Sequence, residues 1–121
     1  MHHVVFAVYP GFELLDMSGP ASVFTSANRS LGSTGKPPFY AIDLVSAAGG
    51  PVTSSSGVII ETQSLEERAC GAFGTLLIAG AEREYLRPAL VDPVLAAWLP
   101  KLAGKAQRFG SVCSGAMVLA R

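Results

Sequence analysis

Arg108-Phe-Gly-Ser-Val-Cys113-Ser-Gly-Ala-Met-Val-Leu-Ala120 is the stretch on which the fold turns. It reads as a short buried strand, a sharp turn at Cys113 and a helix that opens on small residues. That order of elements is what a nucleophile elbow requires. The strand delivers the side chain to its carboxyl end, small neighbours let the backbone turn tightly, and the helix aims its first N–H groups at the same spot. Gly110, Ser111, Ser114, Gly115 and Ala116 supply the missing bulk on both sides of Cys113. The positive end of a helix dipole favours a thiolate at such a position. The same residues also suit a plain buried cysteine at a strand–helix junction, the usual setting of a free cysteine.

Working outward, the flanking sequence alternates strands and helices. His3-Val-Val-Phe-Ala-Val8 is a continuous apolar run, suited to a central parallel strand covered on both faces. Tyr9-Pro-Gly-Phe ends it in a turn, and Glu13-Leu-Leu-Asp16-Met-Ser-Gly19-Pro20 leads into a helix expected over Ala21 to Ala27. Pro20 sits at the first turn of that helix, Val23, Phe24 and Ala27 form its inner face, and Asn28 to Pro38 is a polar loop. Phe39 to Val45 is expected as a strand nearer an edge. Gly49 to Thr53 and Gly57 to Thr62 read as a small hairpin-like insertion joined through Ser54-Ser55-Ser56. Ser64 caps a short helix, with Glu67 completing a capping box. Phe73 to Ala79 is another buried strand ending at Gly80. Asp92-Pro93 starts a helix in which Leu95, Trp98, Leu99 and Leu102 follow at helical spacing, and Pro100 is expected to kink or divide it.

Strands alternating with helices indicate an α/β fold with a mostly parallel sheet, and ligands then lie beyond the carboxyl ends of the strands. Three turns fall there together: the one before Asp16, Gly80-Ala81, and Cys113-Ser114. A doubly wound sheet normally continues past such an elbow. Residues 1–121 are therefore expected to be a domain whose C-terminal part lies beyond this chain.

Composition narrows the function classes. Half of the 121 residues are hydrophobic and 15% are charged, which excludes a disordered chain. Lysine plus arginine equals aspartate plus glutamate at nine each, and the basic residues are scattered, which argues against a nucleic-acid surface in this stretch. Two cysteines without framework spacing, no secretory leader and no apolar run of membrane length point to a cytoplasmic protein with free thiols and no membrane partner. No metal-ligand spacing and no phosphate loop occur, so neither a metal nor a cofactor is expected. Cys70 reads as an inert surface thiol, Trp98 as core, and Glu82, Arg83, Glu84 and Arg87 as a solvated charged face.

With these residues in hand, the chain resembles the ThiJ/PfpI family of the class I glutamine amidotransferase-like superfamily, which implies a flavodoxin-like sheet sandwiched by helices. The likeness is greatest to the branch fused to AraC-type transcriptional regulators, with isocyanide hydratases next. It rests on Tyr9 to Phe24, on Thr75-Leu-Leu-Ile-Ala-Gly80, and on the elbow segment from Arg108 to Ala120. The resemblance implies that Cys113 is the elbow cysteine and Asp16 the acid close to it. The N–H of Ser114 and the Gly80-Ala81 turn would form an oxyanion-hole-like nest, with Gly19 beside the pocket. Read as an isolated residue, Asp16 also suits a helix N-terminal acid that satisfies nearby N–H groups.

The chain departs from the family's enzymes at two places. Peptidase-like members carry a histidine immediately after the cysteine, where this chain has Ser114, and its two histidines, His2 and His3, lie at the start of the first strand. Ala81 stands where relatives often carry a second glycine. Three functions follow as expectations. The first is a ligand-sensing domain of an AraC-type regulator, homodimeric, with a small molecule near Cys113 and Asp16 and DNA bound only through a domain outside this chain. The second is a hydratase of the isocyanide hydratase kind, with Cys113 as nucleophile. The third is a redox sensor in which Cys113 oxidises in preference to Cys70.

Overall fold

The computed structural model describes residues 1–120. The elements run β1 (His2–Ala7), α1 (Leu14–Ser33), β2 (Tyr40–Ser46), β3 (Ala48–Thr53), β4 (Ile59–Ser64), α2 (Leu65–Arg68), β5 (Phe73–Ile78), α3 (Arg83–Leu90), α4 (Pro93–Lys105), β6 (Ala106–Ser111) and α5 (Gly115–Leu119). Six strands make one sheet in the order β3-β4-β2-β1-β5-β6. Every pairing is parallel except that of β3 with β4. The expected α/β architecture, a mostly parallel flavodoxin-like sheet flanked by helices, is present.

The centre of the sheet follows from the apolar runs. Val4, Val5, Phe6, Leu76 and Ile78 are fully buried, as strands covered on both faces must be. From β1 the chain steps to β2 in one direction, then from β4 to β5 and β5 to β6 in the other. Right-handed crossovers therefore place α1 on one face and α2 and α4 on the opposite one. The order reverses between β1 and β5, so their carboxyl ends flank the crevice where α/β sheets hold ligands.

Several local expectations change in three dimensions. The first helix begins at Leu14, not Ala21, and continues to Ser33 through much of the stretch read as loop. Pro20 lies inside it and takes away the N–H that would bond the Asp16 carbonyl. Phe24 packs on the core and Ala27 is half-buried, but Val23 is exposed. The second strand is interior, between β4 and β1, and the hairpin is no mere insertion because β4 pairs with β2 at Val45 and Ser46. Pro100 does not divide α4, which runs unbroken from Pro93 to Lys105. The carbonyl it releases belongs to Ala96, an exposed residue that water can serve. Trp98 is half-buried with the Lys101 ammonium 4.4 Å from its ring centroid. The charged run after Gly80 is helical, with Leu86 and Ala89 buried beneath its polar face.

Both N-caps form, and of the expected capping box the Ser64 half is present. Ser64 Oγ accepts the Glu67 N–H at 3.1 Å, and Asp92 Oδ1 accepts the N–H groups of Val94 and Leu95 at 2.8 and 3.3 Å.

Candidate functional site

Three chain segments meet at the carboxyl ends of β1, β5 and β6. Val112 donates its N–H to the Ile78 carbonyl at 2.9 Å, which carries the β5–β6 pairing one residue past β6. The chain then reverses through Cys113, the one non-glycine residue with positive φ among those described, at 48°. Gly115 donates to the Val112 carbonyl at 2.9 Å and closes the turn. A side chain at Gly115 would run into the Ile78 carbonyl oxygen, so α5 can start this close to β5 only with glycine there. Left-handed backbone costs an ordinary residue about 1–2 kcal/mol. The strained residue is thus the elbow cysteine, and its side chain is exposed.

Gly80 is the hub. A Cβ there would lie 2.8 Å from Ser114 Oγ, 2.9 Å from Asp16 Oδ2 and 2.9 Å from the Ser114 nitrogen. Asp16, Gly80 and Ser114 therefore touch across the space that a side chain would have filled. Asp16 is buried, and its Oδ2 accepts the Gly80 N–H at 2.9 Å. Ser114 Oγ accepts the Ala81 N–H at 3.0 Å and donates to the Ala81 carbonyl at 2.8 Å. Both N–H groups of the Gly80-Ala81 turn are thus taken up by side chains of the site itself. The Gly80 carbonyl accepts the Glu13 N–H at 2.8 Å and ties the turn to the start of α1. Gly19 lies one helical turn beyond Asp16, and a Cβ there would meet only Leu15 within 4 Å.

Tyr9 belongs to the same assembly, although its residue type carries no motif that would mark it. Its hydroxyl donates to the Ala79 carbonyl at 2.8 Å. Burial, and secondarily the nearby Asp16 charge, push its phenol well above the usual tyrosine range. The β1–α1 turn is further pinned to the hairpin. Gly11 donates to the Thr53 carbonyl at 2.8 Å and Ser55 to that of Phe12 at 3.0 Å, and the Tyr85 ring fills the space beside Gly11.

Neither histidine is near. His2 Nε2 pairs with Thr75 Oγ1 at 2.9 Å and its ring covers Gly74, while His3 Nδ1 meets Asp43 Oδ2 at 2.8 Å. Arg68 shares that carboxylate at 3.1 Å and lies over the Phe73 ring. These groups sit at the amino end of the sheet, a full strand length of roughly 15–20 Å from the elbow. Cys70 is exposed, with its thiol 3.8 Å from the Glu66 carbonyl. Among the described residues, no cluster of three or more His, Cys, Asp or Glu side chains could hold a metal ion. No helix of the described residues is long and apolar enough to cross a membrane.

The site is thus a strained cysteine turn at the end of β6, joined through the Gly80-Ala81 turn of β5 to an acid on the first crossover helix. Residues 2–121 match the profile of the DJ-1/PfpI family. The chain belongs to the DJ-1/PfpI family. It is 43% identical over 118 residues to a Streptomyces lividans protein described as an uncharacterized protein in the cpoL 5′ region, spanning 98% of this chain and 77% of that one. It is 31% identical over 115 residues to the HTH-type transcriptional regulator CdhR of Pseudomonas aeruginosa, 95% of this chain but 32% of the regulator. Among solved structures, an AraC family transcriptional regulator from Pseudomonas putida shares the fold. Its TM-score is 0.77 at 23% identity, over 100% of this chain and 70% of that one. An AraC family regulator thus shares this fold, and part of an HTH-type regulator is related to this chain in sequence.

Proposed function

We propose that residues 1–121 serve as the ligand-sensing domain of an AraC-type transcriptional regulator. A small molecule would bind beside Cys113 and Asp16, and DNA contact would be made outside this chain by a homodimeric protein in the cytoplasm. The observation that carries this reading is the hydrogen-bond closure at Gly80-Ala81. An oxyanion hole needs N–H groups free to meet developing charge. Here the Gly80 and Ala81 N–H groups are occupied by Asp16 and Ser114. Acyl transfer by cysteine also needs a base in reach, and the Ser114 hydroxyl is committed to Ala81 while both histidines lie at the far end of β1. A site with both N–H groups of its glycine turn satisfied and its thiol exposed is better suited to recognition than to turnover. The relation to CdhR supports the same reading.

The test is a mobility-shift screen of the protein as encoded against genomic fragments, with and without small polar metabolites. The expected result is DNA retention whose affinity changes with one metabolite class, a response lost in Asp16→Ala. Absence of DNA binding, together with hydration of isocyanides that Cys113→Ala abolishes, would establish the hydratase reading instead. Peroxide-dependent DNA binding that requires Cys113 and not Cys70 would establish the redox reading.

A further inference from the structure

The end of the molecule opposite the elbow carries a cavity away from the Cys113 and Asp16 site. It is an open groove of about 840 Å³ between the last turns of α1, the Gly35–Pro38 loop and the first residues of β2. Ala27, Leu31, Pro37, Phe39 and Tyr40 line it, and Lys36 is its one charged lining residue. That volume is within the range of small-molecule sites, and an apolar lining with few polar groups is their usual composition.

The groove is held in shape by polar bonds behind it. Asn28 Oδ1 accepts the N–H groups of Phe39 and Tyr40 at 2.9 and 3.0 Å, and its Nδ2 donates to the Tyr40 carbonyl at 2.8 Å. One side chain thus fastens the start of β2 to α1. On the other wall, the N–H of Lys36 donates to the Leu31 carbonyl at 3.0 Å after a turn through Gly35 at φ 77°. The rings are ordered as well. His2 stacks behind Phe39 at 5.7 Å and 21°, Tyr40 meets Phe39 edge-on at 5.0 Å, and Phe24 backs Tyr40 at 4.8 Å. The Phe39 ring is nonetheless half exposed. An aromatic surface this well backed and still open to solvent offers stacking without further ordering cost. Lys36 forms no ion pair among the described residues.

We propose that this groove binds a planar aromatic monocarboxylate, its ring lying against Phe39 and Tyr40 and its carboxylate meeting the Lys36 ammonium. A single ammonium on an otherwise apolar groove complements one negative charge. It lacks the several converging donors that a phosphate would require.

The probe is 2-naphthoate, titrated by calorimetry and saturation-transfer NMR into the protein as encoded, with 2-naphthamide and octanoate as neutral and non-aromatic counterparts. Naphthoate is expected to bind about tenfold more tightly than either, and Lys36→Met to remove most of the margin over the amide, as for a charge-assisted contact. Lys36 is exposed, so this variant leaves the core untouched. Cys113→Ala is expected to bind naphthoate as the wild type does. Equal affinity for naphthoate and naphthamide, equal affinity for octanoate, or no binding at millimolar concentration overturns the proposal. So does loss of naphthoate binding in Cys113→Ala, which would place the ligand at the elbow. Binding that rises as a dimer dissociates also overturns it, by making the groove an interface between two copies.

Discussion

Ser114 Oγ grips both polar groups of one residue, accepting the Ala81 N–H at 3.0 Å and donating to the Ala81 carbonyl at 2.8 Å. This hydroxyl holds the β5 turn against the elbow. Ser114→Ala breaks both bonds beside a half-buried peptide and is expected to cost about 1–2 kcal/mol. Ser114→Thr keeps the hydroxyl and should lose less than half of that. Urea denaturation of the three proteins decides. An alanine variant as stable as the wild type would mean that water replaces the hydroxyl fully.

Gly80 is required for contact rather than for its torsion. A methyl at this position meets the Ser114 nitrogen and Oγ and the Asp16 carboxylate at 2.8–2.9 Å. Gly80→Ala should destabilise by about 1–3 kcal/mol as an overpacked site does. Gly104, inside α4 with nothing within 4 Å of its would-be Cβ, is the contrast. Gly104→Ala should stabilise by about 0.5–1 kcal/mol through helix propensity alone. Thermal midpoints moving the same way for both would refute this account.

The elbow's strain predicts an order of stabilities. Cys113 sits at φ 48° with its side chain exposed, so substitution there changes torsional fit far more than packing. Glycine removes the left-handed penalty of about 1–2 kcal/mol and gives back roughly half in unfolded-state entropy. A β-branched residue fits that region worst. Chemical denaturation should rank Cys113→Gly at or above wild type and Cys113→Val below it. A valine variant equal to wild type would mean the turn relaxes at no cost.

The sequence makes the elbow legible because small residues on both sides of Cys113 have one economical explanation, a close approach. Gly115 against the Ile78 carbonyl is that approach. Asp16 is legible through the family resemblance alone, since Glu13 is equally an acid that follows the first strand. The start of α1 is not. Gly19-Pro20 reads as a helix start because proline suits a first turn, whereas the Glu13 N–H on the Gly80 carbonyl fixes the turn earlier and the helix begins at Leu14. Helix α3 is hidden for another reason. Tyr85, Leu86, Ala89 and Leu90 do recur at helical spacing, but the charges between them and Pro88 make the run read as a solvated stretch. The occupation of the Gly80 and Ala81 N–H groups depends on how two side chains point, which no spacing encodes.

Tyr9 makes the fold sensitive to alkali. Its folded-state phenol is raised above the ordinary value by burial and by Asp16. Above about pH 10 the unfolded chain gives up this proton while the folded chain keeps it, so stability falls by at most about 1.4 kcal/mol per pH unit. Below that pH the contribution is fully present. Tyr9→Phe should be less stable at pH 8 by about 1 kcal/mol, for loss of the bond to Ala79. It should also show a shallower decline between pH 9.5 and 11. Parallel declines for the two proteins would assign the alkaline sensitivity to other groups.

Asn28 takes the place of a backbone neighbour for the start of β2, accepting the N–H groups of Phe39 and Tyr40 and donating to the Tyr40 carbonyl. Asn28→Ala leaves three main-chain groups to find other partners. Phe39 is exposed and Tyr40 half-buried, so water recovers part of the loss, and the net cost should be about 1–2 kcal/mol. Asn28→Asp keeps the acceptor and loses the donor, so amide protection at Phe39 and Tyr40 should survive while the Tyr40 carbonyl is left open. Hydrogen exchange separates the cases: fast exchange of both amides in the alanine variant and retained protection in the aspartate variant. Fast exchange in both variants would mean that the donated bond to the Tyr40 carbonyl, rather than the accepted pair, holds the strand to the helix.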